Sequence, residues 1–388
     1  MYDAINLLRE MIAIPSVNPM RLQSGIAVER PMADFLESSF RRAEIDCERQ
    51  IVVEGRENVI AIVHASSNSH RNSRAGVMLN SHMDTVPVEN MTIDPFDPVI
   101  SNGRVYGRGS CDAKGSIAAM VTALIAYANK TDRPAPVVFA AMADEEFSFS
   151  GSWKLVEKDW PVTACVVGEP TKLAGVIAHK GVARWRIQVK GVSAHGATPE
   201  RGRNAIYDGA RVALALEAYA KKLAALKPHP LLGRPTINVG RVAGGQAVNI
   251  VPDLCEFEIE RRLMPREEGR QAVLDCATFL RDQVGEDIEC VTEEPYLLDP
   301  ALETSSAAAI VESVAAAHQA ELGTTIELEG AHYGTDGSKL ARAGIETVVC
   351  GPGDIAQAHT ADEYIEVEQV EMAVRLYGHL LAQWNLAN

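Results

Sequence analysis

The chain has 388 residues, of which 47% are hydrophobic and 23% are charged; this composition is typical of globular proteins and excludes a disordered or fibrous chain. The 52 acidic residues outnumber the 37 basic ones, so the net charge is −15 and we expect no nucleic acid or membrane partner. At roughly 150 residues per domain, the length predicts two or three domains.

Neither a targeting segment nor a disulfide framework is predicted. The N-terminal sequence MYDAINLLRE lacks a basic flank followed by an apolar core, and the longest apolar stretch, near 117–128, is too short to span a bilayer. The seven cysteines are odd in number and include no Cys-x-x-Cys pair. This usage indicates free thiols rather than disulfides or a cysteine zinc site. We therefore expect a cytoplasmic protein.

The first part of the chain alternates buried strands with a helix. Short continuous runs rich in Val, Ile and Ala lie at 58–63, 77–79, 137–143 and 165–167. Such runs are typical of strands that are buried on both faces, as in a parallel sheet. The Ala-rich segment 116–128 between them predicts a helix. This alternation predicts an α/β sandwich.

The pattern changes after Lys180. Apolar and polar residues alternate with period two at 183–190 and 255–260, which predicts antiparallel strands with one solvated face. Apolar residues with helical spacing at 206–223 and 273–284 predict two amphipathic helices. This segment is therefore predicted to be an α+β unit.

The α/β pattern returns after about residue 295, with a predicted helix at 305–320, a buried strand at 347–351 and a final helix at 370–381. We therefore predict one discontinuous α/β domain, interrupted by an inserted domain. The predicted limits are 1–178 and 295–388 for the first domain and 179–294 for the second. A polar segment at 64–74 predicts a surface loop.

Polar residues follow the predicted buried strands, at the ends where an open parallel sheet places its chemistry. They are His82, Asp84, Asp144, Glu145, Glu146, Glu169 and His359. A further carboxylate, Asp112, lies in the string GRGSCDAKGS just before the Ala-rich helix. Because the carboxyl ends of parallel strands share one edge, we expect these side chains to converge.

Two imidazoles and several carboxylates are the donors that zinc-like divalent cations prefer. The charge of two such cations would be balanced by Asp112, Glu146 and Glu169 together with one hydroxide. Taken singly, these residues also have ordinary structural explanations: an acidic pair can form a solvated turn, Asp112 can cap a helix, and His359 can be a loop residue. Their joint placement favours a metal site. The string around Asp112 lacks the Gly-Lys-Ser/Thr ending of a phosphate-binding loop.

Seven segments are spread over nearly the whole chain: NSHMDTVP (80–87), GRGSCDAKG (107–115), ADEEFSFSGS (143–152), VVGEPT (166–171), GVSAHGATPERGRNA (191–205), GGQAVNIVP (244–252) and GPGDIAQAHTADEY (351–364). In this order they resemble the acetylornithine deacetylase, succinyl-diaminopimelate desuccinylase, aminoacylase and carboxypeptidase G family of dinuclear zinc hydrolases. The strings AHKG (178–181) and GPGDIAQAH (351–359) are most similar to the acetylornithine deacetylase branch.

The resemblance implies a mixed-sheet α/β/α catalytic domain of the zinc-peptidase type. It also implies an inserted α+β, ferredoxin-like domain that serves as a lid and forms a homodimer. The implied cofactors are two divalent metal ions. The resemblance implies that they are zinc, and cobalt and manganese are the alternatives.

The resemblance also implies a role for each site residue. His82 and Glu169 would bind one metal, Glu146 and His359 would bind the other, and Asp112 would bridge both. Asp84 would orient His82, and Glu145 would be the general base. His195 would stabilise the oxyanion from its own or the partner subunit, and Asn249 and Arg262 would contact the substrate. The family's Asp two residues before the arginine is Glu260 here. A surface ion pair remains the alternative for Arg262, and a turn position the alternative for Asn249.

The activity that the resemblance implies is hydrolysis of the amide bond of a small N-acyl amino acid, with N-acetylornithine, an arginine-biosynthesis substrate, as the first candidate. Desuccinylase, aminoacylase, dipeptidase and carboxypeptidase activities of the same family stay open. Aminopeptidases of the family tend to carry Asp where this chain has Glu169, which disfavours that activity. A catalytically silent binding protein is the alternative outside the enzyme class, and the retained Glu145 argues against it.

Overall fold

The structure is a computed structural model that describes residues 3–20, 25, 28–66 and 75–384. Most of the predicted loop at 64–74 lies outside the described residues. The strands are β1 (Asp46–Val53), β2 (Arg56–Val63), β3 (Gly76–His82), β4 (Val99–Ser101), β5 (Arg104–Tyr106), β6 (Val137–Met142), β7 (Val162–Val167), β8 (Gly175–His179), β9 (Gly181–Lys190), β10 (Ala194–His195), β11 (Thr236–Gly244), β12 (Ile250–Val251), β13 (Leu254–Leu263), β14 (Glu289–Thr292), β15 (Leu297–Asp299), β16 (Leu302–Glu303), β17 (Leu328–Ala331), β18 (Glu346–Val349) and β19 (Tyr364–Glu366).

The α-helices of the described residues are α1 (Ala4–Ile12), α2 (Arg30–Arg42), α3 (Gly115–Ala128), α4 (Ser150–Leu155), α5 (Ala205–Ala224), α6 (Gly269–Val284), α7 (Ala309–Leu322), α8 (Gly337–Arg342) and α9 (Val367–Gln383). The sequence analysis predicted α3, α5, α6, α7 and α9 within a few residues of these bounds. It did not predict α1 and α2, nor the short helices α4 and α8.

Internal contacts divide the chain into two compact units. The first comprises residues up to Ile177, Glu303–Glu329 and residues from Thr335 onward; the second comprises Ala178–Leu302 and Gly330–Gly334. The domain limits that the sequence predicts are 1–178 and 295–388 for the catalytic domain and 179–294 for the inserted lid and dimerisation domain. These limits and roles stay predictions.

The large sheet is mixed, in the order β1-β2-β6-β3-β7-β18-β8-β16, with β17 also paired to β8. Strands β6, β3, β7 and β18 run parallel to one another, whereas β2 runs antiparallel to β6. The apolar run at 58–63 was expected to be typical of a parallel sheet. That expectation is wrong for β2, because a continuous apolar run reports burial on both faces and carries no information on strand direction.

Helix α3 is the core helix of the first unit, and it packs against α9. Residues from Gly115 to Ile125 are all buried, since α3 contacts α1 and α9 as well as strands of the sheet. The stretch Ser110–Ala128 is long and apolar enough to span a membrane by length and composition, but 83% of its most apolar window is buried within the molecule. Burial of this kind is what the core helix of a globular domain requires.

The second unit contains an antiparallel sheet in the order β11-β13-β9-β14, with β15 also paired to β9. The predicted alternation is confirmed, because Trp185, Ile187 and Phe257 are buried in one core with residues of α5 and α6. The opposite face carries cross-strand ion pairs such as Arg184–Glu260. Strand β11 pairs on one side only, so it forms an edge of this sheet.

Candidate metal centre

The five predicted metal ligands lie together in the first unit, around Asp112. The carboxylate oxygen Oδ1 of Asp112 is 3.0 Å from His82 Nε2, and Oδ2 is 3.2 Å from His359 Nε2. Glu169 Oε2 lies 3.8 Å from His82 Nε2, and Glu146 Oε2 lies 3.3 Å from His359 Nε2. Each oxygen of Asp112 therefore faces a different imidazole, and each imidazole faces a second carboxylate.

The sheet positions these side chains. His82 ends β3, Glu145 and Glu146 follow the end of β6, and Glu169 follows the end of β7. These parallel strands deliver their carboxyl ends to one edge, as the sequence analysis predicted. Asp112 comes from a different element, the turn at Ser110–Lys114 that leads into α3.

The residues fit a pair of divalent cations. Buried oxygens of Glu146 and Glu169, the Oε1 atom of each, have no hydrogen-bond partner among the described residues. A buried carboxylate oxygen without a partner costs free energy unless a cation or water satisfies it. His82, Asp112 and Glu146 also offer three donor atoms that all lie within 4.8 Å of one another. Imidazole nitrogen and carboxylate oxygen are the donors of zinc-type hydrolase sites.

The acidic side chains are too crowded to ionise together without a cation. Burial, followed by the Asp112 carboxylate, raises the pKa of Glu146 to about 7. Burial likewise raises the pKa of Glu169 and that of Glu145 well above their usual range, although the imidazole of His82 opposes the shift. A bound cation would take the place of the protons in such a cluster.

The two imidazoles show the opposite effect. Hydrogen bonds with Asp112 and Glu146 raise the pKa of His359 to about 10. Burial lowers the pKa of His82, but the Glu169 carboxylate and the hydrogen bond with Asp112 outweigh it and raise the pKa. Burial raises the pKa of Asp112, and its hydrogen bonds with His359 and His82 hold it below the usual value. The carboxylates therefore favour positive charge on the two imidazoles that face Asp112.

Asp84 contacts both His82 and the following acidic turn. The nearer partner of His82 Nδ1 is the backbone carbonyl of Asp84 at 2.9 Å, while the carboxylate oxygen Oδ1 lies 3.6 Å away. The carboxylate also accepts the backbone N–H of Glu145 at 3.1 Å and that of Glu146 at 3.2 Å. A hydrogen bond of this kind at Nδ1 leaves Nε2 to face the metal side.

Sequence reasoning missed the residues that hold the turn around Asp112. The buried carboxylate of Glu363 accepts the backbone N–H groups of Gly109 at 3.1 Å, Cys111 at 2.9 Å and Asp112 at 3.1 Å. Glu363 belongs to the string that carries His359, but no periodicity or spacing distinguishes it from a surface glutamate. Asn18, which contacts Asp84, was missed for the same reason.

The remaining predicted residues belong to the second unit. The pairing of β10 with β12 places His195 opposite Ile250, and the N–H of Gly196 donates to the carbonyl of Asn249 at 2.8 Å. His195 and Asn249 are therefore neighbours on an exposed loop pair. His195 Nδ1 accepts the N–H of Ala197 at 3.0 Å, so its proton is carried on Nε2.

Arg262 lies apart from this pair, on β13. Its Nε donates to Glu260 Oε1 at 2.9 Å, and its side chain is partly exposed. The surface ion pair that the sequence analysis kept as an alternative is therefore present. A role in binding substrate stays a prediction.

The five predicted ligands, two imidazoles and three carboxylates, are thus gathered near one edge of the mixed sheet. Residues 78–383 match the profile of the peptidase family M20/M25/M40. The chain therefore belongs to this family, and it is a hydrolase that acts on linear amide bonds.

Named relatives agree with this assignment. The chain is 31% identical over 349 residues to an acetylornithine deacetylase from Myxococcus xanthus, with 88% of each chain covered. It is 28% identical to an acetylornithine deacetylase from Proteus mirabilis, with 99% of this chain and 97% of that protein covered.

Solved structures share the fold. The aminopeptidase PepT from Bacillus cereus superposes with a TM-score of 0.77 at 21% identity, with 98% of each chain covered. A dinuclear metal-binding peptidase of the M20 family from Bacillus subtilis superposes with a TM-score of 0.71 at 17% identity, with 97% and 96% covered. At these identities the likeness establishes the mixed α/β architecture.

Proposed function

We propose that this protein deacylates a small N-acyl amino acid, with N-acetylornithine as its preferred substrate, and that it uses two zinc ions. The observation that carries the proposal is the position of Asp112, whose two carboxylate oxygens face His82 and His359 at 3.0 and 3.2 Å. A carboxylate placed in this way can bridge two cations, which few other arrangements of side chains can do.

The proposal gives each cation three protein ligands. His82, Glu169 and Asp112 would hold one, and His359, Glu146 and Asp112 would hold the other. When bound, the pair of cations supplies Lewis acidity and makes hydroxide available at neutral pH. Cobalt and manganese prefer the same donor types and are the alternatives to zinc.

Glu145 is assigned the proton transfers. It is buried beside the ligands, and the bond from its N–H to Asp84 fixes the turn that carries it. Its carboxylate would take the proton from the attacking water and deliver it to the leaving amine. A well-placed general acid–base group contributes about 10²–10⁴-fold to the rate.

The second unit is assigned substrate recognition. His195 carries its proton on Nε2, so it can donate to the developing oxyanion, which is worth about 3 kcal/mol for a well-placed donor. Asn249 lies next to it, and Arg262 would bind the substrate carboxylate after giving up its bond to Glu260.

The preference for N-acetylornithine rests on the curated relatives from Myxococcus xanthus and Proteus mirabilis, both named acetylornithine deacetylases. The Glu at position 169, where aminopeptidases of the family tend to carry Asp, disfavours the activity of the aminopeptidase that shares the fold. Desuccinylase, aminoacylase, dipeptidase and carboxypeptidase activities are the competing outcomes.

The test is a substrate panel assayed with the zinc-, cobalt- and manganese-loaded enzyme, with metal content measured on the same samples. The panel comprises N-acetylornithine, N-succinyl-diaminopimelate, simple N-acetyl amino acids and dipeptides. We expect about two metal ions per chain and the highest kcat/KM on N-acetylornithine. A higher kcat/KM on another member would overturn the substrate assignment, and one metal ion per fully active chain would overturn the paired site.

A homodimer through the second unit and a cytoplasmic location complete the proposal. The free edge of β11 and the exposed apolar residues Tyr207 and Leu214, seven positions apart on α5, offer a surface for a second copy. Sedimentation should show a dimer that Leu214→Glu dissociates, while Leu274→Glu on the exposed face of α6 leaves it intact. All seven cysteines are free, which supports a reducing compartment.

A further inference from the structure

A fully buried arginine holds the residue that precedes Glu145. The side chain of Arg56, on β2, is completely shielded from solvent, as are those of its partners Glu29 and Asp144. Its Nε lies 3.0 and 2.9 Å from the two carboxylate oxygens of Glu29, and Nη1 donates to Asp144 Oδ1 at 2.7 Å. Buried charges are tolerated only when they are paired and hydrogen-bonded, so the guanidinium determines where both carboxylates lie.

Asn18 links this ion-pair cluster to Asp84. The side-chain nitrogen Nδ2 donates to Asp84 Oδ2 at 2.8 Å and to Asp144 Oδ1 at 3.0 Å. Ionised carboxylates only accept hydrogen bonds, so the amide must present its NH₂ group to both. Asn18 is itself buried, and its backbone N–H donates to the carbonyl of Thr85 at 2.8 Å. The bridge is therefore fixed at both its side chain and its backbone.

Asp84 carries the connection to the metal centre. Its carboxylate accepts the backbone N–H groups of Glu145 and Glu146, and its carbonyl accepts from the ring of His82. The general base and two ligands are thus each one hydrogen bond away from a residue that Asn18 holds.

We propose that Arg56 and Asn18 are positioning residues of the metal centre, which act through Asp144 and Asp84 on the Glu145–Glu146 turn and on His82. The effect on the base Glu145 rests on the proposed function, whereas the effect on the two ligands does not depend on any substrate. Both residues are buried and cannot contact substrate, so they act on kcat and on metal affinity rather than on KM.

Two variants separate positioning from general stabilisation. Asn18→Ala removes the bridge and leaves the Arg56 ion pairs in place. Arg56→Lys keeps the charge and loses the planar fork that pairs with two carboxylates at once. Arg49→Lys is the matched control. Arg49, on the neighbouring strand β1, also forms ion pairs with several carboxylates, those of Asp34, Glu37 and Glu57, but these partners are not part of the metal centre.

The measurements are kcat and KM for N-acetylornithine, and a Co²⁺ titration of the metal-free protein followed by visible absorption. Loss of a residue that orients metal ligands lowers activity or metal affinity by about 10- to 100-fold. We expect Asn18→Ala to lower kcat and weaken Co²⁺ binding in that range, with KM nearly unchanged. In the double variant Asn18→Ala/Arg56→Lys, the fold-loss of kcat and of Co²⁺ affinity should be clearly smaller than the product of the two single losses, because both residues act through one chain of contacts.

The inference is overturned if folded Asn18→Ala matches Arg49→Lys in both kcat and Co²⁺ affinity, even when its thermal stability falls. Should Arg56→Lys not fold, Asn18→Ala alone decides the result. If the wild-type enzyme hydrolyses no member of the substrate panel, the proposed function fails, while the Co²⁺ titrations of the variants still decide this inference.

Discussion

The carboxylate of Glu363 accepts the backbone N–H of Asp112 at 3.1 Å, although 251 positions separate the two residues. The same carboxylate accepts the N–H groups of Gly109 and Cys111, so it holds the whole turn that carries Asp112. His359 lies four positions before Glu363 on the same loop. The central carboxylate and one of the two imidazoles that face it are therefore tied together by a residue that is not itself a metal ligand.

Replacement of Glu363 by Gln should weaken both the fold and the metal centre. Both oxygens of Glu363 face donors, since one accepts from Cys111 and the other from Arg108. Either orientation of a glutamine amide would therefore place its NH₂ against another donor. A buried polar group left without its partner costs about 1–3 kcal/mol, and we expect urea denaturation to show a loss of that size in the free energy of unfolding.

The control for this prediction is Glu366→Gln. Glu366 pairs with Arg104 at 2.8 Å near the surface, and such pairs contribute at most about 1 kcal/mol. An equal loss of stability in both variants would contradict the role given to Glu363.

Glu145 and Glu146 are adjacent but should respond differently to substitution by Gln. Glu145→Gln should keep its metal content and lose turnover by about 10²–10⁴-fold, because it removes the proton-transfer group. Glu146→Gln should lose metal from one site, because one oxygen ligand becomes an amide nitrogen. Metal analysis and kcat measured on the same samples check both statements.

The exposed Glu157, which pairs with Lys154, provides the control for the substitution itself. Glu157→Gln should retain wild-type metal content and kcat. The assignment of the base is wrong if Glu145→Gln keeps most of its activity, or if Glu145→Gln is the variant that loses metal.

A shortened chain that lacks residues 178–302, the main part of the second unit, should bind metal and fail to catalyse. All five predicted ligands and Glu145 belong to the first unit, whereas His195, Asn249 and Arg262 belong to the second. A short glycine linker can join Ile177 to Glu303, because the N–H of Thr304 donates to the carbonyl of Ile177 at 2.8 Å. We expect Co²⁺ to bind with its visible absorption retained and hydrolysis to be undetectable. Substantial hydrolysis by this folded chain would refute a mechanism that requires both units.

The last prediction concerns the subunit in which His195 acts. If it serves the partner's metal centre, a hybrid of Glu145→Ala and His195→Ala chains has one site with both defects and one with neither. Random exchange makes half of the dimers hybrids, so about a quarter of the wild-type activity should return for a two-fold dimer. Activity is measured before and after exchange, with the hybrid fraction determined by native mass spectrometry.

Each single variant exchanged with itself is the control and should recover nothing. A verified hybrid population without recovered activity would show that His195 serves its own chain. The assignment of the metal ligands would not be affected by that result.

Local patterns in the sequence were enough to group several of the candidate site residues. The apolar runs that became β3, β6 and β7 are short and continuous, and parallel strands deliver their carboxyl ends to one sheet edge. His82, Glu145, Glu146 and Glu169 could be grouped for that reason alone. Period-two alternation likewise predicted β9 and β13, because one face of that sheet is buried and the other is solvated.

Tertiary structure decided what holds these residues in place. The antiparallel direction of β2, the three N–H groups gathered by Glu363, and the buried contacts among Arg56, Asn18 and Asp84 have no signature in periodicity or spacing. A charged side chain looks like a surface residue in sequence, and only packing shows that it is shielded from water and must be paired. The sequence therefore determined which groups could carry the chemistry, and the packing of distant segments determined their geometry.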